Sequence, residues 1–214
     1  MLNVFMDKTT QNIKAYNKNA SKFASRFADF EPYLNAMDDF LKLLKDDCSC
    51  LDLGCGPGSF SSRIAFRFNG AKITGVDISS SMIDLAKAAV PKGDFKCMNI
   101  LEAEFDEAQF DAVLLSFCIV HLDRDEAVSI IEKSSCFLKS GGLLYISFME
   151  GKIDGFEKTS FSDDEIYFHY HNENEIIQVM EENGLRAVKR FSQDYAEADG
   201  SITKDVFVFA EKKL

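Results

Sequence analysis

The chain of 214 residues has no uninterrupted apolar run near the roughly 20 residues that a membrane-spanning helix requires. None of its six cysteines forms a C-x-x-C pair, so no structural zinc site is expected, and a reducing compartment suits the thiols. The G-x-x-x-x-G-K-[ST] loop of P-loop nucleotide binders is missing, as is an H-E-x-x-H helix, and the three histidines give no metal-ligand spacing. Basic residues are scarce: 24 Lys and Arg against 35 Asp and Glu give a formal charge of −11. Such a chain repels polyanions on average, and Lys189-Arg190 and Lys212-Lys213 are too short for a nucleic-acid footprint. The opening residues, with Asn3 and Asp7 in a mixed segment, do not form a signal peptide, so the expected location is the cytoplasm. There is no internal repeat.

What is present is a 46% hydrophobic composition, enough for one substantial core. We expect a single domain over residues 1–214, with 1–45 as an N-terminal helical cap and 150–172 as an insertion on the substrate side. Ile13, Tyr16, Ala20, Phe23 and Phe27 recur at helical spacing, and Glu31-Pro32 separates this stretch from a second one through Leu44. Strands are expected near 48–53, 72–76, 95–98, 110–116 and 143–148, with helices near 59–68, 80–89 and 125–138 between them. That alternation implies an α/β fold with a mainly parallel sheet covered on both faces. After an irregular aromatic stretch from Glu150 to Asn172 comes a helix over 173–184. Strands at 185–191 and 205–210 then lie too close for a helical crossover and predict an antiparallel hairpin.

The informative segment is Leu51-Asp52-Leu53-Gly54-Cys55-Gly56-Pro57-Gly58, an acid-bearing strand end running into closely spaced glycines. A second acid, Asp77, ends the next strand. A glycine turn followed by an acid at the adjacent strand end points to a nucleoside-containing cofactor. The spacing is G-x-G-x-G, with Ser59 where a dinucleotide fingerprint has its last glycine. The Asp52 carboxylate would oppose a pyrophosphate by like charge, whereas it could pair with a ligand ammonium. Asp52, Asp77, Asn99 and Ser116 all fall at the carboxyl ends of expected strands, where parallel sheets bind ligands. Asp111 begins a strand at the opposite edge and is assigned a structural role.

This pattern resembles the cofactor loop of class I S-adenosylmethionine-dependent methyltransferases. Phe110-Asp111-Ala112-Val113 and Leu138-Lys139-Ser140-Gly141-Gly142-Leu143-Leu144 add to the likeness. It is nearest the small-molecule branch that includes the ubiquinone and menaquinone biosynthesis enzymes. The resemblance implies a Rossmann-like seven-stranded sheet ordered 3-2-1-4-5-7-6, its last strand antiparallel, and S-adenosyl-L-methionine as cofactor. Asp52 and the backbone of Gly54, Cys55, Gly56 and Gly58 would then enclose the methionine moiety. Asp77 would accept hydrogen bonds from the ribose hydroxyls, with Ile78 and Met82 against the adenine. Asn99 stands where relatives usually place an aspartate for the adenine amine, Ile100 follows it, and the Ser116 backbone would face the methionyl amine. Tyr16 resembles the aromatic residue with which an N-terminal helix closes over the cofactor.

The activity so implied is in-line transfer of a methyl group to a small-molecule acceptor, at oxygen, nitrogen or carbon, by a monomer or homodimer. His121 is the candidate general base, with a loop-tethering role as its alternative. Phe168, His169 and Tyr170 would line the acceptor site, unless they form an ordinary aromatic-packed cap. A cofactor-binding protein without catalysis and an NAD-dependent oxidoreductase are the rival functions.

Overall fold

The computed structural model describes residues 7–196 and 200–213; Asn3 and residues 197–199 of the expected final turn lie outside the described residues. Two helices come first, α1 (Lys8–Phe27) and α2 (Glu31–Leu41), with Pro32 in the first turn of the second. Strand and helix then alternate: β1 (Ser49–Leu53), α3 (Ser59–Arg67), β2 (Lys72–Asp77), α4 (Ser80–Ala89), β3 (Asp94–Cys97), β4 (Phe110–Ser116), α5 (Arg124–Phe137) and β5 (Leu138–Glu150). A separate two-stranded hairpin, β6 (Gly155–Thr159) and β7 (Ser162–Phe168), precedes α6 (Glu173–Glu182) and the final strands β8 (Leu185–Ala196) and β9 (Ile202–Lys212).

The main sheet has the order β3-β2-β1-β4-β5-β9-β8. Its first five strands pair in parallel, and β9 pairs antiparallel with both β5 and β8. This is the expected mostly parallel Rossmann-like sheet. Alternate residues of each strand enter opposite cores, as the two-residue period of a strand demands. Leu51, Leu53, Val113, Leu115 and Ile146 pack with Ile130 and Ile131 of α5 and Met180 of α6. Cys50, Ala112, Leu114, Tyr145, Phe207 and Phe209 pack instead with Phe40 of α2, Ile64 of α3 and Ala86 of α4. A strand buried on both faces needs apolar residues at nearly every position, which is why β4 reads as a continuous run.

Capping follows the sequence closely. Ser79 accepts from the Met82 N–H at the start of α4, and Asp123 and Glu126 form a reciprocal capping box on α5. Asp111 sits away from the carboxyl edge, accepting from Ser49 N at 2.8 Å and from Lys139 Nζ at 2.9 Å.

Three differences from expectation have local causes. The fifth strand begins at Leu138, because the Lys139–Gly142 turn is absorbed as an irregularity between the pairs Phe110–Leu138 and Ala112–Leu143. The closing hairpin is longer than its apolar segments, extending to Ala196 and back from Ile202. The aromatic stretch after Glu150 contains β6 and β7. Their polar residues on both faces hide a two-residue period.

That hairpin is held by α1. Asn12 works like a strand residue: its Oδ1 accepts from Tyr167 N at 2.8 Å and its Nδ2 donates to Tyr167 O at 2.9 Å. Asn19 donates to Ser162 Oγ and Asp164 Oδ2. On its other side α1 reaches α4, where Asn17 Oδ1 accepts from Ser79 Oγ at 2.8 Å and Ser81 N at 3.1 Å. Helix and hairpin together roof the carboxyl edge of the sheet.

Gly75, midway along β2, lies beneath the Phe95 ring, and a Cβ there would stand 2.5 Å from two ring carbons. Gly75→Ala should therefore destabilise the protein by about 1–3 kcal/mol through overpacking. The expected readout is a lower urea midpoint with an unchanged m-value. An unshifted midpoint would contradict this close approach.

Candidate functional site

The strands β1, β2 and β4 deliver their last residues to one edge, and the roof encloses a cavity of about 320 Å³ above them. Its wall includes Asp52, Asp77 and Ser116 from strand ends, Gly54, Cys55 and Gly56 from the first loop, and Asn99 and Ile100 after β3. Ile78, Met82, Tyr16, His121, Phe168 and Tyr170 also line it. Two of the residues proposed from sequence stand elsewhere. Gly58 is packed under α4, where a Cβ would lie 3.0 Å from the Ala86 Cα. His169 is buried behind the wall, with Nδ1 at 2.6 Å from Asp154 Oδ2 and Nε2 at 2.8 Å from Lys8 Nζ.

The glycines of the first loop serve different ends. All have left-handed backbone angles, with φ of 71° at Gly54, 52° at Gly56 and 81° at Gly58. A Cβ at Gly54 would stand 2.4 Å from the Cβ of Cys118, so the loop could not pass the end of β4. At Gly56 a Cβ would meet nothing within 4 Å, because the loop there borders open space.

Asp77 is the organising side chain. Its Oδ2 accepts from Gly56 N at 2.8 Å and its Oδ1 from Ser79 N at 2.8 Å. Backbone donors therefore fix the carboxylate between the glycine loop and the cap of α4. A carboxylate has about four lone-pair sites, so each oxygen keeps acceptor capacity toward the cavity. Burial raises its pKa, against the opposing pull of these two hydrogen bonds. Asp52 is more deeply placed and accepts from Ser61 Oγ at 2.6 Å. Desolvation pushes it up to about 6, with the Asp77 charge adding to the rise. Burial also drives the Cys55 and Cys118 thiols up, so neither is an activated nucleophile.

His121 lies under the roof in a short 3-10 turn after β4. Tyr16 Oη is 3.0 Å from its Nε2, and Tyr167 O is 3.3 Å from its Nδ1. Burial holds the Tyr16 phenol protonated, so it donates to Nε2 and leaves the ring proton on Nδ1, facing the carbonyl. Desolvation lowers the imidazole to about 4. Both ring nitrogens are thus occupied and the ring is neutral. His171 ties the segment after β7 to the same turn through Nε2 and Ile119 O at 2.8 Å.

Sequence reasoning missed the aromatic end of the cavity: Phe23, Phe27, Tyr33, Phe117 and Phe161, together with Asp205. The rings were indistinguishable from core residues in a chain with 20 phenylalanines. Asp205 could have been flagged, since it interrupts the apolar alternation that Phe207 and Phe209 continue.

Among the described residues no helix is long and apolar enough to cross a membrane. Residues 50–142 match the family described as "Methyltransferase domain". The chain is 32% identical over 137 residues to the candidate methyltransferase 235L of Invertebrate iridescent virus 6, covering 63% of this chain and 47% of that protein. It is 27% identical over 150 residues to a ubiquinone biosynthesis O-methyltransferase of Coxiella burnetii, covering 64% and 62%. The chain spans about half the length of the first curated relatives it matches. Magnesium protoporphyrin IX methyltransferase from Synechocystis PCC 6803 superposes with a TM-score of 0.73 at 18% identity, over 99% of this chain and 100% of that one. The matched segment carries β1 to β4 and α5, so the strand ends that build the site lie in the part of the chain that is similar to methyltransferase domains.

Proposed function

We propose that the protein transfers the methyl group of S-adenosylmethionine to a small-molecule acceptor, within the branch that the ubiquinone and menaquinone enzymes exemplify. The observation that carries this reading is Asp77: an enclosed carboxylate, oriented by two backbone donors, with acceptor capacity toward a cavity of nucleoside size. The chain's residues fit the cofactor. Asp77 would take the ribose hydroxyls, and Ile78 and Met82 would flank the adenine near Asn99, whose side-chain oxygen already accepts from Leu101 N at 3.0 Å. The open space beside Gly56 suits a close-lying amino acid tail, and Asp52 would pair with its ammonium. Bound there, the cofactor supplies an electrophilic methyl on a sulfonium. The protein's share is to align the acceptor behind that carbon and to exclude water.

In this reading α1 and the β6–β7 hairpin form the acceptor-side cap. Tyr16 and His121 clasp it shut, and Phe168 and Tyr170 border the acceptor. The site suits His121 better as a positioning residue than as a base, since a ring near pKa 4 with both nitrogens engaged is a poor proton acceptor. Free thiols at all six cysteines favour a reducing cytoplasm as the proposed location.

Calorimetry should show micromolar binding of S-adenosylmethionine and S-adenosylhomocysteine and no binding of NAD. Asp77→Ala should weaken both ligands by about 30-fold or more, the loss expected for hydrogen bonds to a charged group. Unchanged affinity in that variant would overturn the assignment. Affinity for S-adenosylhomocysteine should also fall as pH drops below about 6, where Asp52 takes up a proton and loses its attraction for the ammonium. Asp52→Asn should flatten that dependence, and a persistent pH slope in the variant would contradict the pairing.

Stability carries a separate signature of His121. Its folded value near 4 lies below the ordinary 6.5, so the unfolded chain binds the proton first as pH falls. The neutral ring's contribution is complete above 6.5 and is lost progressively toward 4. Asp52 acts with the opposite sign in an overlapping window, but it is common to wild type and to His121→Asn. Unfolding free energies from urea titration should therefore differ in pH slope between wild type and His121→Asn by up to about 1.4 kcal/mol per pH unit. Identical slopes would contradict a buried neutral imidazole.

A further inference from the structure

The cavity continues past Ser116 into a lobe walled by rings. Phe117, directly after that residue, has a left-handed backbone with φ of 51°, which a bulky side chain adopts only when its surroundings enforce it. The turn sends its ring against Tyr33, at 4.7 Å between centroids, and against Phe207 at 5.6 Å. Tyr33 stacks on Phe27 at 5.9 Å, and Phe27 meets Phe161 at 6.2 Å. Tyr33, Phe27, Phe117 and Phe161 all line the cavity.

A carboxylate is set into this aromatic wall. Asp205 is 1% exposed and lines the same cavity. Its register partner on β5 is Met149, at the carboxyl end of the strand, which puts it on the same edge as Ser116 and Asp77. Along β9 it occupies the face that continues with Phe207 and Phe209 in the core, where a third apolar residue would be the default. Its Oδ2 accepts from Tyr33 Oη at 3.0 Å and from Gln193 Nε2 at 3.5 Å. Burying an acid at an apolar position is costly, and the low polarity around it strengthens its pull on a cation brought into the cavity.

We propose that the methyl acceptor is a small amine with an apolar or aromatic body, bound with its nitrogen toward Asp205 and its body among the rings. This deepens the proposed methyl transfer and rests on it. Ring faces attract cations through their quadrupole, and a nearby carboxylate adds a Coulombic attraction that low polarity strengthens. A carboxylate acceptor would instead meet like charge. The chemistry balances without a further reactant. The arriving ammonium gives up its proton to solvent before the cap closes. The nitrogen lone pair then forms the new N–C bond while the methyl–sulfur bond breaks, its electron pair staying on sulfur. Positive charge passes from sulfur to nitrogen, beside the group that stabilises it, so Asp205 favours the transition state over the neutral amine. The methylated ammonium leaves as the product.

The test compares three probes that share one ring: phenethylamine, 2-phenylethanol and 3-phenylpropanoate. Calorimetry on the protein loaded with S-adenosylhomocysteine should show binding of phenethylamine at least about tenfold tighter than of the other two. Transfer of labelled methyl from S-adenosylmethionine should follow the same order. Asp205→Asn, which can still accept from Tyr33, should weaken phenethylamine by about 30-fold while leaving S-adenosylhomocysteine affinity unchanged. Phe161→Leu, which keeps the apolar volume but removes a ring face, should weaken the amine and spare the alcohol. Preference for the alcohol or the carboxylate, no amine binding to the loaded protein, or an indifferent Asp205→Asn would each overturn the proposal while leaving methyl transfer intact. Failure of S-adenosylhomocysteine to bind at all would overturn both.

Discussion

The carboxylate of Asp77, held by the Gly56 and Ser79 amides, is the constraint around which the edge of the sheet is organised. One oxygen fixes the glycine loop and the other fixes the cap of α4. The loop can reach it only because Gly54 slips past Cys118 and Gly58 lies flat on Ala86. The cap in turn meets Asn17, which draws α1 across the cavity. A single strand-end acid is thereby linked, through main-chain amides and one asparagine, to the element that closes the site. Hydrogen bonds from fixed backbone donors orient a carboxylate without spending its remaining lone pairs. That property leaves this acid able to serve the proposed cofactor as well as the turn.

Electrostatics divides the cavity into two ends. Asp52 and Asp77 lie together at one, both with raised affinity for protons through desolvation, and the proposed cofactor would bring positive charge to them. Rings and Asp205 form the other. Between them Ser116 ends β4, and Phe117 turns sharply away. The strained residue marks the boundary between the proposed cofactor and acceptor regions, the kind of place where backbone strain accumulates in working sites. The Tyr16–His121 pair spans the roof above this boundary. A ring kept neutral by burial gives the clasp a hydrogen bond whose geometry does not change through the neutral pH range.

Much of the sheet was legible in the sequence, because parallel strands buried on both faces leave nearly continuous apolar runs, as in Phe110–Ser116. The strand-end acids were legible for a related reason. A polar residue at the end of such a run has few places to go except a turn or a crevice. The β6–β7 hairpin was not legible: its order comes from long-range bonds to Asn12 and Asn19 of α1, which no local pattern records. The same holds for His121. Its position after β4 suggested chemistry, but the engagement of both ring nitrogens depends on Tyr16 and Tyr167, distant in the chain. Ring residues of the proposed acceptor lobe share composition with the core, so only their place in the cavity wall separates them from it.

The most direct measurement is a crystal structure of the protein with S-adenosylhomocysteine. The account requires both ribose hydroxyls within hydrogen-bonding distance of the Asp77 carboxylate, the amino acid tail along Gly54–Gly56, and the sulfur directed toward the lobe that holds Phe117 and Asp205. A nucleoside bound elsewhere, with Asp77 satisfied by its two backbone donors alone, would contradict it.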